Sequence, residues 1–300
     1  MRLTLSAAPT TTPVALAEVR SWLNLTPGLD EDDAVIERLI DEAYDELESM
    51  TNRKFLGQTW AYTIDSAGIA SEIRLPLVPL VSVSSIKTTD DDGDETTVTS
   101  TNYQIRGGEN PRVVLTRSGQ WPTDERRHDS MEITCACGYG GDVIPFVGWM
   151  PDDHTAGTLN DMTAALTDTW SGSVRTVYEF KITTAAATDK FDWRAVTTDT
   201  NGQKTFGAWT ADVSITGSAQ AIADKLTVTF DAKTGHVTDD QWTVEMYERL
   251  PARVRRVFKG LVLFLYDAKG RGITETVSGQ IIGLPREIER AILSLRVESW

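Results

Sequence analysis

The apolar residues of this chain change period twice. Near both ends they recur every three to four residues, and from about Thr59 to Tyr247 they alternate every second residue. Helical stripes therefore stand at the two termini, with a long β-rich stretch between them. At the amino end, Thr12-Pro13 reads as an N-cap followed by a proline at the first helical position, and Leu16, Val19 and Leu23 follow. Pro27-Gly28 breaks the run, and Asp30 reads as the next N-cap, with Glu31, Asp32 and Asp33 at the positive end of a helix dipole. Val35, Ile36, Leu39, Ile40, Ala43, Tyr44, Leu47 and Met50 then predict an amphipathic helix of about six turns. Its other face carries Asp41, Glu42, Asp45, Glu46 and Glu48, which read as a solvated face or, less plainly, a cation site. At the carboxy end, Val254, Val257, Phe258, Leu261, Val262, Leu265 and Tyr266 follow Pro251, and Ile288, Ala291, Ile292 and Leu295 follow Pro285, with Gly270-Arg271-Gly272 as a breaker between the two runs. Neither helix pair covers its own stripe, so the economical solution packs all four together.

Between the helices, Trp60, Tyr62 and Ile64 open a series of short strands. The prolines of Pro76-Leu77-Val78-Pro79 suit a connecting or edge segment. Asp90-Asp91-Asp92-Gly93-Asp94 offers clustered oxygens for calcium, but its strand-like flanks fit a hairpin turn and not an EF-hand. Cys135 and Cys137 share one face of a strand, and with no further ligands at zinc spacing they read as buried thiols.

Composition shifts near Trp149 to a Thr-, Ala- and Asp-rich stretch. Leu159–Trp170 carries some helical patterning. Tyr178–Ile182, Phe191–Trp193, Val228–Phe230 and Trp242–Met246 alternate, with turns at Asn201-Gly202, Thr216-Gly217 and Thr234-Gly235. The expected fold is thus α+β: a four-helix core with a small antiparallel β region over residues 1–149 and 248–300, and an inserted all-β sandwich over 150–247. Trp193, Trp209 and Trp242 of the insert read either as core or as a stacking platform for a glycan.

No phosphate-binding loop, dinucleotide fingerprint or nucleophile elbow occurs, and His128, His154 and His236 have no metal-ligand partner at helical spacing. Acid pairs are plentiful in a chain this acidic, so a hydrolase built on unidentified carboxylates stays an alternative class at this point. No apolar run approaches the roughly 20 residues of a membrane span, and Met1–Leu5 lacks a signal peptide's apolar core, so synthesis in the cytoplasm is expected. The net charge of −15 argues against a broad DNA-gripping surface. That charge is uneven: −12 over residues 1–149, −7 over 150–247 and +4 over 248–300.

Taken in order, several segments are similar to one family. They are Val14–Leu23, Asp32–Ala43, the exit Glu48-Ser49-Met50-Thr51-Asn52-Arg53, Leu75-Pro76-Leu77-Val78-Pro79-Leu80-Val81-Ser82-Val83, Trp121-Pro122, Gly138-Tyr139-Gly140, Leu250-Pro251 and Leu284-Pro285. This pattern resembles the head–tail connector (head-completion, or adaptor) proteins of long-tailed phages and gene transfer agents. The resemblance implies a non-enzymatic structural virion protein at the neck, with no cofactor and no metal. Such a protein forms a ring, commonly of twelve copies, below the portal protein and extends the DNA channel. It also offers a surface to the next neck or tail component, such as a stopper or tail terminator, and touches no membrane. The basic Arg253, Arg255, Arg256 and Lys259, with Arg296 and Trp300, would then contact a neighbouring copy, the portal or channel DNA. The insert departs from the family pattern and is similar to small β modules of phage tail and fibre proteins. It would decorate the ring or, in the alternative, bind a glycan while the helical part anchors it.

Overall fold

A computed structural model describes residues 1–25, 32–65, 69–108, 110–122, 126–150, 159–170, 172, 175–199, 203–270, 276–277, 280–281 and 284–297. Four α-helices stand among them: α1 (Leu16–Trp22), α2 (Asp33–Thr51), α3 (Ala252–Gly270) and α4 (Arg286–Leu293). The strands before the insert are β1 (Arg2–Ala7), β2 (Gln58–Ile64), β3 (Glu72–Arg74), β4 (Leu80–Thr89), β5 (Glu95–Thr97), β6 (Tyr103–Arg106), β7 (Arg112–Leu115) and β8 (Met131–Cys137). Then come β9 (Val143–Met150), β10 (Met162–Leu166), β11 (Thr176–Thr184), β12 (Lys190–Thr198), β13 (Lys204–Phe206), β14 (Thr210–Ser214), β15 (Gln220–Ala221), β16 (Leu226–Phe230) and β17 (Gln241–Glu248).

The four helices share one core, in which Val19, Ile36, Ile40, Leu47, Phe258, Leu261, Val262 and Ile292 are buried. Burying each such side chain contributes about 1.5–3 kcal/mol, which a lone helix pair with an open stripe would forgo. The segment after α4 is also stitched to the exit of α2. Val297 N–H donates to Thr51 O at 2.9 Å, Asn52 Nδ2 to Val297 O at 3.0 Å, and Arg53 Nε to Leu295 O. Asn52 closes α2 in the left-handed conformation, φ 53°. The Asp30 cap and the Pro27-Gly28 break lie outside the described residues.

Two antiparallel sheets, ordered β1-β2-β8-β4-β5 and β3-β7-β6, enclose a second core around Ile64, Leu75, Ile86, Val113 and Ile133. Cys135 and Cys137 lie in it, and burial pushes both thiols up to about 12. Gly138 ends β8 at φ +113°, where a Cβ would stand 2.3 Å from Leu56 O, so only glycine fits. The Asp90–Asp94 segment is the β4–β5 hairpin turn.

The third core lies between a sheet ordered β13-β12-β11-β17-β9, with β14 also paired to β12, and a three-stranded sheet ordered β10-β16-β15. Residues 162–166, within the stretch expected to be helical, form β10, because pairing with β16 turns Met162 and Leu166 toward this core. The boundary expected at residues 149 and 150 falls at the end of β9, whose whole length pairs with β17, from Val143↔Glu248 to Met150↔Gln241. The outer face of this β9–β17 pair carries α1. A Cβ on Gly148 would stand 2.7 Å from Ala17 Cβ, so the missing side chain admits the helix.

The start of α1 differs from expectation. It opens at Leu16, after Ala15, which makes no side-chain cap; Thr12 Oγ1 donates to Val14 O instead. The orphan amides of Leu16 and Ala17 donate to Glu245 on β17, at 2.6 Å to Oε2 and 3.0 Å to Oε1. Three residues on, buried Glu248 accepts Gly57 N–H at 2.9 Å and Gly141 N–H at 3.0 Å. Burial, reinforced by the negative charges of Glu37 and Asp33, outweighs the two amide bonds and pushes the Glu245 carboxyl up to about 7. The folded chain thus binds this proton more tightly than the unfolded chain does. Stability from this group is greatest below pH 4.5 and falls as the pH rises toward 7, by on the order of 3 kcal/mol. Thermal melts between pH 5 and 8 should show Glu245→Gln losing this part of the slope relative to the unaltered chain.

Candidate assembly surface

The basic residues clustered on α3 are the strongest local charge signal at the carboxy end, and the fold divides them. Arg255 pairs with Glu18 of α1, a carboxylate whose side chain is only 7% exposed. Glu18 Oε2 is buried without a hydrogen-bond partner among the described residues, so Arg255 carries the neutralisation. Lys259 Nζ sits 5.0 Å from the centre of the Trp22 ring, a cation–π contact to α1. Arg253 Nη2 donates to Ser294 O, 3.2 Å away at the end of α4, where positive charge suits the helix dipole. These three side chains hold helices of their own chain together. Arg256 is exposed and enters no ion pair among the described residues. Arg296 is exposed after α4, and Trp300 lies outside the described residues. Of the sequence cluster, Arg256 and Arg296 present free charge to a partner, and exposed Arg253, bonded to a carbonyl and to no carboxylate among the described residues, keeps part of its own.

The acidic face of α2 is less solvated than its composition suggests. Glu48 accepts from Tyr44 Oη at 2.5 Å, Lys54 Nζ at 2.6 Å, Phe55 N–H at 3.0 Å and Gln58 Nε2 at 3.2 Å. With Thr51 Oγ1 on Leu47 O at 2.6 Å, the Glu48–Arg53 exit becomes a hydrogen-bonded corner that aims the chain into β2. Asp41 pairs with Arg175 of the insert, and Lys204 approaches Asp33 at 4.0 Å. Thr12, Val14, Glu37, Ile40, Arg175 and Glu245 line a cleft between insert and helices. Burial raises the Glu37 carboxyl there, against the attraction of Lys204 and Arg175. The insert therefore rests on α1 and α2 through its outer sheet face and a set of ion pairs.

The three tryptophans of the insert do not come together. Trp242 is fully buried, 4.6 Å from Trp149 between ring centres, with Nε1 donating to Asn160 Oδ1 at 3.2 Å. Trp193 packs half-buried against the same core, beside Tyr178. Trp209, 40% exposed, lies on the opposite face of the sheet. There Arg194, fixed by Glu179 at 2.6 Å, stacks between Trp209 and Phe206 at 4.4 and 4.5 Å. Strand alternation puts Trp193 inward and Arg194 outward, so no common stacking platform exists. His236, next to the Thr234-Gly235 turn, is buried between Asp189 (Nδ1···Oδ2 2.9 Å) and Asp161 (Nε2···Oδ1 3.0 Å) and ties together the segments before β10, β12 and β17. His154 lies outside the described residues.

Sequence reasoning missed Glu245 and Glu248. Their signal was available only as two glutamates on a strand otherwise patterned for burial.

Residues 13–106 match the family model described as phage gp6-like head-tail connector protein. The resemblance read from the sequence is thereby shown over that segment, which runs from before α1 to the end of β6. Among solved structures, the chain is similar to one in the neck of an empty gene transfer agent particle computed with C6 symmetry. That match has 20% identity and a TM-score of 0.41, over 46% of this chain and 72% of the other. A chain in the virion of a native gene transfer agent particle matches with 22% identity and a TM-score of 0.40, over 46% and 72%. A third, in the neck of the native particle computed with C12 symmetry, has 20% identity and a TM-score of 0.38, over 47% and 71%. No curated protein matches the chain.

The division of the α3 charges has a direct consequence. Arg255→Glu should destabilise the isolated chain by on the order of 2 kcal/mol, after allowance for the solvent exposure of Arg255, by opposing a second carboxylate to Glu18. Arg256→Glu should leave the melting temperature within a degree or two. Calorimetry of the two variants separates these outcomes, and leaves Arg256 as the clean probe of partner contact.

Proposed function

We propose that the chain is a structural head–tail connector of a phage or gene transfer agent. In this reading, copies assemble as a ring below the portal protein, extend the DNA channel and present a surface to a stopper or tail terminator. The carrying observation is the family match over residues 13–106, which covers α1, α2 and the first six strands apart from β1. The construction of the molecule agrees with it. The amino-terminal and carboxy-terminal helices share one core and the segment after α4 bonds the exit of α2, so the helical core is a block suited to repetition around an axis. A ring multiplies one modest interface, and an acidic body favours sliding of DNA over adhesion. Arg256 and Arg296 supply exposed positive charge for the portal or a neighbour.

The insert is read as a module seated on the outside of this block. Its seat is specific, since β17 contributes Glu245 and Glu248 to the helical core and to the end of β8. Deleting Pro151–Met246 with a short linker removes Glu245 and the partner of β9, and should unfold the helices at lower temperature. Deleting Pro151–Asp240 keeps β17 beside β9 and should retain the helical melt, read by circular dichroism.

The decisive experiment is the mass of the purified chain alone and mixed with a portal protein, by analytical ultracentrifugation. The expected result is a ring-sized species, alone or seeded by the portal. A monomer that ignores the portal at every concentration overturns the reading.

A further inference from the structure

The sheet β3-β7-β6 lines up three arginines that the sequence scatters. Arg74 is the register partner of Arg112, and Arg112 is the partner of Arg106, so the three form one row on one face. Directly opposed side chains on antiparallel strands have Cβ atoms about 4.5–5.5 Å apart, where like charges repel. Glu72 offsets part of this, 4.0 Å from Arg74 and 3.4 Å from Arg112. Among the described residues, Arg106 meets a neutral group, Gln104 Oε1, at 3.4 Å. The row cannot relax by slipping, because Ile73 and Val113 on the reverse face are buried in the core. Beside it, Arg74, Asn110, Pro111 and Arg112 line a cleft. The result is a row of guanidinium groups on an acidic protein, held in fixed geometry, in which exposed Arg106 enters no ion pair among the described residues.

The matching surface is on the same chain. In the β4–β5 turn, Asp90 Oδ1 accepts the amides of Asp92 at 3.0 Å and Asp94 at 2.8 Å, and Gly93 turns the backbone at φ +90°. Asp90 is thus consumed in shaping the turn. Asp91, Asp92 and Asp94 are exposed and enter no ion pair among the described residues. No ion pair joins this turn to the ladder within the described chain.

We propose that the β4–β5 acidic turn of one copy docks on the Arg74–Arg112–Arg106 ladder of the next. Because ladder and turn are different surfaces, the contact is head-to-tail and propagates from copy to copy until it closes. Guanidinium forks match carboxylates, and opposite fields steer the encounter. Channel DNA is the lesser candidate for the ladder, since the whole-chain charge of −15 opposes its approach. The proposal builds on the connector reading by naming a contact between copies.

The test uses full-length chains with reversed charges: Arg106→Glu with Arg112→Glu, Asp91→Lys with Asp92→Lys, and all four together. Melting temperatures check that each folds. Either single-sided reversal should weaken self-association by about tenfold or more in sedimentation, seeded with portal where needed, and the fourfold variant should recover it. Assembly unchanged by either reversal, or not recovered by the fourfold variant, overturns the contact. So does a ladder reversal that lowers duplex-DNA binding while leaving assembly intact. If the unaltered chain never assembles, the connector reading fails. The contact is then decided separately by disulfide trapping of concentrated Asp92→Cys chains mixed with Arg106→Cys chains. An excess of mixed over like dimers upholds it, and no excess overturns it.

Discussion

Two hydrogen-bonded carboxylates on one strand tie the β17 edge of the insert to the rest of the molecule. Glu245 and Glu248 sit three residues apart on β17, and between them they accept four backbone amides from segments far away in sequence. A buried carboxylate is costly unless its oxygens are occupied, and here all four are. Amides at a helix start and at strand ends are equally costly when buried unpaired. Each side of the arrangement satisfies the other. The insert is therefore a structural partner of the helical core and not a bead on a string, although its own hydrophobic core is separate.

This constraint explains why the basic helix α3 behaves as it does. Once α1 is pinned by Glu245, Glu18 is buried next to α3, and Arg255 must answer it. Lys259 covers Trp22 for the same reason: α1 is a short helix held between a sheet and α3. A basic stripe that looks like an interface is largely spent inside the chain. A second concentration of positive charge lies elsewhere, in a row of arginines that only strand pairing assembles.

Much of the fold was legible in the sequence because it follows from period and punctuation. The stripes of α2 and α3, the prolines before α3 and α4, the Gly93 hairpin and the alternation of β11, β16 and β17 are local patterns with local causes. The failures have equally definite causes. Leu159–Trp170 is short and weakly patterned, and pairing with β16 decided its state. Thr12 had the right chemistry for a cap, but a glutamate over two hundred residues away took the position. Trp193 and Trp209 look alike in sequence, yet they lie on opposite faces of one sheet.

The sequence by itself determined the long helices and the clearly alternating strands, that both termini must share a core, and which family residues 13–106 resemble. These depend on neighbours within a few residues, whose spacing sets which face is apolar. Tertiary structure alone decided which charges are spent and which are free. Arg253, Arg255 and Lys259 lie close together on α3 and make contacts within the chain. Arg74, Arg106 and Arg112 are far apart in sequence and stand side by side. Coulomb energy depends on distance in space and on burial, and a linear chain specifies neither until its strands have chosen their register.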